Sequence, residues 1–271
     1  MQTLAEIRRL LDERGLSPKR SLGQNFLIDH NLIRRLVEAS GVGPGSLVLE
    51  VGPGTGTMTE ELLDRGASVV ACELDDGLAS LLEDRLGARA GFTLVRGDCL
   101  ESKREVSRAV MGALGGRAFV LVSNLPYGAG TPLMLALMTR HPECSGMWVT
   151  VQREVADRLL ASPGSDEYGS ISVVASAVCT VRRVASLPPE CFWPRPEVAS
   201  AMVELVRRPV PLTRDPSGLA DLCRTLFASR RKQIGAVLRG LGMVDRLPPG
   251  VDPTERAENL PPGVIVSMMS P

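Results

Sequence analysis

The chain has 271 residues, of which 44% are hydrophobic and 23% charged, a composition that suits one full-sized core and a small second domain. No apolar run could cross a bilayer, and residues 1–20 mix charges with leucines, so we expect a cytoplasmic protein without membrane contact. The six cysteines lack paired spacing and the two histidines fit no ligand pattern, so we expect free thiols and no metal.

The net charge is zero, but the charges are unevenly distributed along the chain. Residues 1–206 carry 21 Lys and Arg against 25 Asp and Glu, a net charge of −4, whereas residues 207–271 carry 10 against 6, a net charge of +4. The neutral total therefore allows a basic C-terminal face. Taken alone, the arginines and lysine of that segment favour a solvated surface: Arg207, Arg208, Arg230, Arg231 and Lys232.

Strands and helices are predicted to alternate after an N-terminal helix (4–14), a loop (19–29) and a second helix (about 31–39). The predicted strands are 46–51, 68–72, 92–96, 118–123 and 147–151, with helices at about 57–65 and 78–86. This alternation indicates an α/β fold with a parallel, doubly wound sheet. Ligands of such sheets bind at the carboxyl ends of the strands.

The pattern changes after residue 206. Three prolines (Pro209, Pro211 and Pro216) form a linker, one helix is predicted over 219–241, and a proline-rich tail follows. We therefore divide the chain into a large domain, residues 1–206, and a small all-helical domain, residues 207–271.

A glycine-rich turn, E-V-G-P-G-T-G, connects the strand at 46–51 to the next helix. Such a turn lets backbone N–H groups approach a ligand. A dinucleotide fingerprint would need glycine where the chain has Thr57, and no hydride-transfer site suggests a dehydrogenase. Glycines at Gly52, Gly54 and Gly56, preceded by Glu50, are typical of class I methyltransferases that use S-adenosylmethionine.

Two carboxylates follow the next two predicted strands. Glu73 can accept hydrogen bonds from both ribose hydroxyls of a nucleoside, and charge-assisted bonds of this kind are strong. Asp98 is placed to accept from the amino group of the cofactor's adenine. Either residue alone would fit a solvated loop end, but both after the glycine turn favour a cofactor site.

The sequence N-L-P-Y follows the fourth predicted strand and indicates a site that methylates an exocyclic adenine amine. Such an amine is a poor nucleophile, and acceptors for its protons help it to become tetrahedral. The side chain of Asn124 and the carbonyl of Leu125 could be those acceptors, while Pro126 fixes the backbone. Tyr127 offers a face for a flipped base, and Phe192 could close the pocket from the other side.

These motifs together resemble the ribosomal RNA adenine dimethyltransferases, and more specifically the small-subunit dimethyladenosine transferases. The resemblance rests on segments that occur in the family's order over nearly the whole chain. They are residues 23–27, 50–56, 73, 97–98, 124–127, 152–156, 168–169, 192–198 with 200, 230–232 and 256–260.

The resemblance implies a Rossmann-like, mostly parallel seven-stranded sheet and S-adenosyl-L-methionine as cofactor. It implies these cofactor-binding residues: Asn25, Leu27, Gly52, Gly54, Gly56, Glu73, Asp98 and Asn124. The implied substrate is 16S rRNA in assembling 30S particles, methylated on two adjacent adenines near its 3′ end by a monomeric enzyme. Residues 207–271, shorter than is usual in the family, become an RNA-docking domain with contacts at Arg230, Arg231 and Lys232.

Two alternatives stay open. A large-subunit (23S) rRNA adenine methyltransferase of the macrolide-resistance type has the same fold, but Leu125, the G-Q-N-F motif and the R-A-E-N-L tail favour the small-subunit enzyme. A non-catalytic ribosome assembly or transcription factor on the same fold is disfavoured by the full set of cofactor and target-base residues.

Overall fold

A seven-stranded sheet forms the centre of the computed structural model, which describes residues 1–269, and two short two-stranded ribbons stand beside it. The strands are β1 (Phe26–Leu27), β2 (Leu47–Val51), β3 (Ser68–Glu73), β4 (Phe92–Arg96), β5 (Leu100–Ser102), β6 (Glu105–Val106), β7 (Phe119–Asn124), β8 (Cys144–Gln152), β9 (Cys179–Leu187), β10 (Phe192–Trp193) and β11 (Ser200–Arg207). The helices are α1 (Leu4–Asp12), α2 (His30–Ser40), α3 (Thr57–Asp64), α4 (Asp76–Leu86), α5 (Arg108–Leu114), α6 (Gly130–Arg140), α7 (Arg153–Leu160), α8 (Ser170–Val178), α9 (Pro216–Ala228), α10 (Ile234–Gly240) and α11 (Pro262–Ser267).

The order of strands in the sheet is β4-β3-β2-β7-β8-β11-β9. The first five strands pair in parallel, and β11 pairs antiparallel with both β8 and β9. The predicted mostly parallel seven-stranded sheet is therefore confirmed. Because the chain leaves β2 toward β3 on one side and returns to β7 on the other, a crevice opens at the carboxyl ends of β2 and β7.

Alternating side chains bury both faces of the sheet. Leu47, Leu49 and Val51 of β2 belong to one hydrophobic cluster, and Val48 belongs to another on the opposite face. The first cluster includes residues of α5, α6, α8 and the three C-terminal helices, whereas α2 and α3 pack in the second. Burial on both faces explains why the sequences of these strands are continuous apolar runs.

The predicted single helix over 219–241 is wrong, because the structure has two helices there. α9 ends at Ala228 and α10 begins at Ile234, whose backbone N–H donates to Glu255 (2.6 Å). The next N–H, that of Gly235, donates to the carbonyl of Pro253 (2.9 Å). Carbonyls of the tail thus accept from two N–H groups that, in a continuous helix, would donate to carbonyls of the preceding turn.

The C-terminal segment is helical, as predicted, and its helices share the first hydrophobic cluster with α6 and α8. The domain division at 206/207 stays a prediction, and residues 270 and 271 of the second domain lie outside the described residues. Within residues 1–269 no helix is both long and apolar enough to span a bilayer.

Candidate active site

A cavity of about 740 Å³ lies at the carboxyl ends of β2, β3, β4 and β7. Its walls come from the N-terminal segment, the glycine turn, the β5–β6 hairpin and the N-L-P-Y loop. Most of the predicted site residues line it: Asn25, Leu27, Gly52, Gly54, Glu73, Asp98, Asn124, Leu125, Pro126 and Tyr127. Gly56 and Phe192 do not belong to its lining.

The glycine turn lets two neighbouring segments approach closely. Gly52 has a φ of +69°, and a Cβ there would lie 2.9 Å from Cγ of Pro126. Gly54 has a φ of +62°, and a Cβ there would lie 2.8 Å from the ring of Phe26. The cavity wall therefore closes only where these positions carry no side chain. Gly56, by contrast, precedes α3 and faces side chains of α4, which makes it a packing residue.

Glu73 is 5% exposed at the end of β3, and burial raises the pKa of its carboxyl. Its two oxygens accept from the backbone N–H groups of Asp75 (2.9 Å) and Gly54 (3.2 Å), which partly oppose the pKa shift. These bonds fix the carboxylate plane, and each oxygen keeps a lone pair for a ligand.

A second carboxylate, Glu50, lies in the same wall and is only 2% exposed. Its pKa is raised to about 8, mainly by burial; a hydrogen bond from the Thr59 hydroxyl (2.7 Å) opposes this shift, and the nearby Glu73 adds to it. A positively charged ligand in the cavity would favour ionised Glu50. The motif predicted a carboxylate at Glu50 but no separate role for it, because a motif does not reveal that the side chain is buried.

Asp98 lies two residues beyond β4 and is exposed at the cavity edge. One of its oxygens accepts from the N–H of Leu100 (2.9 Å), which holds the side chain at the start of the β5–β6 hairpin. The other oxygen is available to a ligand.

The amide of Asn124 is held with its oxygen unpaired. Its Nδ2 donates to the backbone carbonyl of Asn25 (3.0 Å), and this bond requires that Oδ1 point the other way. Oδ1 is buried and has no hydrogen-bond partner among the described residues. An unpaired buried acceptor costs about 1–3 kcal/mol, so its presence in a cavity wall indicates a ligand that donates to it.

Tyr127 is half-buried beside Asn124, and its hydroxyl lies 3.2 Å from the hydroxyl of Ser200. Burial raises the pKa of the phenol, which therefore stays neutral at physiological pH. Ser200 had no predicted function, although it belongs to the segment F-W-P-R-P-E-V-A-S (residues 192–200) on which the family resemblance partly rests. The structure shows that it positions the tyrosine.

Phe192 is 3% exposed and packs in the second hydrophobic cluster. In the β1–β10 ribbon it lies opposite Leu27, and its neighbour Trp193 stacks on Phe26 with 6.1 Å between ring centroids. The motif thus holds the N-terminal segment against the cavity. A contact between Phe192 and a target base stays a prediction.

The basic residues near the C-terminus separate into two kinds. Arg230 pairs with Glu258 and donates to the carbonyl of Asp166 (2.6 Å), so it joins the turn after α9 to the tail and to the loop after α7. Arg231 and Lys232 are exposed, and no acidic group within residues 1–269 pairs with them. Both side chains are therefore accessible for the proposed contact with RNA.

The prediction that Arg207 and Arg208 are solvated is wrong. Arg207 donates to carbonyls of Leu137 (2.8 Å) and His141 (3.0 Å) at the end of α6, and also to Cys144 (2.9 Å). Arg208 donates to the carbonyl of Ser176 (2.8 Å) in α8. Both cations satisfy the free carbonyls of helix C-termini.

Comparison with known proteins identifies relatives along almost the whole chain. The family described as "Ribosomal RNA adenine dimethylase" matches residues 15–270. Proteins called ribosomal RNA small subunit methyltransferase A are similar: that of Phenylobacterium zucineum is 39% identical, with 96% of this chain and 90% of that protein covered. That of Nocardia farcinica is 41% identical, with 94% and 90% covered.

Two solved structures share the fold. A dimethyladenosine transferase from Plasmodium falciparum superposes with a TM-score of 0.73 at 21% identity, covering 90% of this chain and 95% of that one. The 23S rRNA methyltransferase ErmE superposes with a TM-score of 0.66 at 25% identity, covering 90% and 97%.

Proposed function

Because the chain belongs to the ribosomal RNA adenine dimethylase family, we propose that it transfers methyl groups from S-adenosylmethionine to N6 of two adjacent adenines near the 3′ end of 16S rRNA. The observation that carries this proposal is the buried Oδ1 of Asn124 in the cavity wall, which has no hydrogen-bond partner within residues 1–269. An amino group that donates to this oxygen would satisfy it.

The residues of the cavity fit the proposed cofactor, which when bound supplies a methyl group activated by a sulfonium cation. Glu73 offers acceptors for ribose hydroxyls, and Asp98 an acceptor for the adenine amino group. Glu50 adds a carboxylate that ionises when a cation lies nearby. The glycine turn presents backbone without Cβ atoms, so a ligand can approach it closely.

Asn124 would accept a hydrogen bond from the target amine and so favour a tetrahedral nitrogen with an available lone pair. The Leu125 carbonyl is the second proposed acceptor, and the packing of Pro126 against Gly52 fixes its position. One preorganised hydrogen-bonding group of this kind contributes about 10²–10³ in rate. A general base is not required, because the surplus proton can leave after the cationic product forms.

Tyr127 would stack on the flipped adenine. Its ring borders the cavity and its hydroxyl is held by Ser200, so the ring is fixed before the base arrives. We also propose that residues 207–271 dock on the small subunit through Arg231 and Lys232. In this view Arg230 contributes mainly by ordering their turn.

The decisive assay measures methyl transfer from labelled S-adenosylmethionine to small subunits that lack the dimethylation, with unmodified large-subunit rRNA in parallel. Mass spectrometry then identifies the modified nucleoside. We expect dimethyladenosine only in the small-subunit RNA. Labelling of large-subunit RNA alone would favour the macrolide-resistance activity, and cofactor binding without transfer would favour the non-catalytic factor.

The cofactor assignment has its own test. Glu73→Ala should weaken S-adenosylmethionine binding by about 1.5–3 kcal/mol, the range for losing a hydrogen bond to a charged group. Calorimetry on the purified protein measures this without any RNA. An unchanged affinity would remove Glu73 from the cofactor site.

A further inference from the structure

Most cations of residues 1–206 already have a partner within the described part of the chain. Their side chains pair with carboxylates, donate to backbone carbonyls or, for Arg8, stack on Trp193. Five cations have neither an acidic nor a hydrogen-bonding partner within residues 1–269: Arg20, Arg34, Lys103, Arg153 and Arg158.

Two of these five line the cavity. Arg20 begins the 3₁₀ turn that leads into the N-terminal wall, and Lys103 is at the tip of the β5–β6 hairpin; both line the cavity. Arg34, Arg153 and Arg158 do not belong to its lining.

Three carboxylates of the cavity wall bond to other groups and do not pair with these cations. Glu50 bonds to Thr59, Glu73 to backbone N–H groups, and Glu101 pairs with Arg108 and not with the nearby Lys103. The interior of the cavity is thus acidic, and its border carries the unpaired cations Arg20 and Lys103 together with the exposed carboxylate of Asp98. Such an arrangement admits a neutral base and repels phosphates from the interior.

We propose that Arg20 and Lys103 bind the phosphates on either side of the nucleotide whose base enters the cavity. The inference rests on the proposed function, and its ligand class is an unpaired RNA strand. A flipped nucleotide brings only its base inside, so its 5′ and 3′ phosphates stay at the entrance, where Arg20 and Lys103 lie. Contacts of this kind position a strand without reading its sequence.

The test uses the whole chain with Arg20→Gln and Lys103→Gln, separately and combined. Arg34→Gln is the matched control, because Arg34 on α2 is exposed and has no partner within residues 1–269, but does not line the cavity. Binding to small subunits that lack the dimethylation is measured between 50 and 200 mM KCl at constant Mg²⁺. We expect each single variant to reduce the slope of log K against log salt by about 0.7, and the double variant by about 1.4.

The expected companion result is a higher KM for the small subunit with unchanged kcat and unchanged S-adenosylmethionine affinity. Slopes equal to those of wild type and Arg34→Gln would overturn the proposal. Loss of cofactor affinity instead would assign these cations to the cofactor's carboxylate and also overturn it. Failure of the proposed function is recognised separately, because wild type would then neither bind nor methylate the small subunit.

Discussion

Substituting Gly52 by alanine tests whether the glycine turn positions the target-base loop. The new Cβ would lie 2.9 Å from Cγ and 3.2 Å from Cδ of Pro126, whereas ordinary contacts lie at 3.4–4 Å. Pro126 must therefore move by at least about 0.5 Å, because its ring cannot rotate away. Since a misplacement of about 1 Å can cost about 100-fold in rate, we expect kcat to fall roughly tenfold to 100-fold.

The same substitution also strains the backbone, and a second glycine separates the two effects. Gly41 has a φ of +65°, close to the +69° of Gly52, but a Cβ there would meet nothing within 4 Å. Gly41→Ala should lose about 1–2 kcal/mol of stability from the left-handed conformation alone. Gly52→Ala should lose this amount plus about 1–3 kcal/mol from overpacking.

Stability is measured by denaturant unfolding, and methyl transfer at saturating cofactor, so that weaker cofactor binding does not enter kcat. Pro126→Ala in the Gly52→Ala background removes the ring carbons that clash and should restore part of the lost stability. If Gly52→Ala transfers methyl groups as fast as Gly41→Ala, the contact between the two loops does not position the reacting amine.

Three further predictions concern single side chains. Because the pKa of Glu50 is raised to about 8, the native protein keeps a proton that the unfolded chain has released between about pH 5 and 8, so stability falls as pH rises there. Glu50→Gln should remove up to about 1.4 kcal/mol per pH unit of that slope in unfolding experiments; an unchanged slope would mean that Glu50 is ionised. Asn124→Ala should lower kcat by about 10²–10³ while the free energy of unfolding changes by less than about 1 kcal/mol, because an unpaired buried oxygen disappears; substantial residual transfer would reject its assigned role. Arg230→Glu should lower unfolding stability by about 1–3 kcal/mol through loss of the Glu258 pair, whereas Arg231→Glu should change it by less than about 0.5 kcal/mol and weaken subunit binding; equal stabilities would refute the distinction.

The fold was largely predictable because each parallel strand is a short apolar run followed by a turn. The bounds of β2, β3 and β4 agree with the predicted strands to within one residue. The antiparallel strands β9 and β11 were not predicted individually, because Arg182, Arg183 and Glu204 interrupt their apolar pattern. In the structure Arg182 and Glu204 pair with each other across the two strands.

The break between α9 and α10 also had a weak signal. Between Phe227 and Ile234 no large apolar residue occurs, so the buried stripe of the predicted helix is interrupted for about two turns. What fixes the break is a distant segment, since Pro253 and Glu255 accept the N–H groups of the first turn of α10. A pattern within one helix cannot contain that information.

Residue types predicted most of the site, but not the contacts that orient them. The motif indicates a carboxylate at Glu73 and an amide at Asn124, and both line the cavity. Sequence does not reveal that Ser200 holds Tyr127, because the two residues meet only when β11 pairs with β8. For the same reason the sequence did not predict that Arg207 and Arg208 bond to helix carbonyls, because these acceptors lie on helices far away in the chain.

The N-terminal segment is part of the site although it is far from the sheet in sequence. The carbonyl of Asn25 sets which atom of Asn124 faces the cavity, and the ring of Phe26 lies on Gly54. The two-residue ribbon with β10, a hydrogen bond from the N–H of Ile28 to the carbonyl of Cys191 (2.9 Å) and the stacking on Trp193 hold this segment from the other side. The ribbon therefore supports the carbonyl that orients the target-base acceptor, and three of the nine aromatic residues of the chain lie in it: Phe26, Phe192 and Trp193.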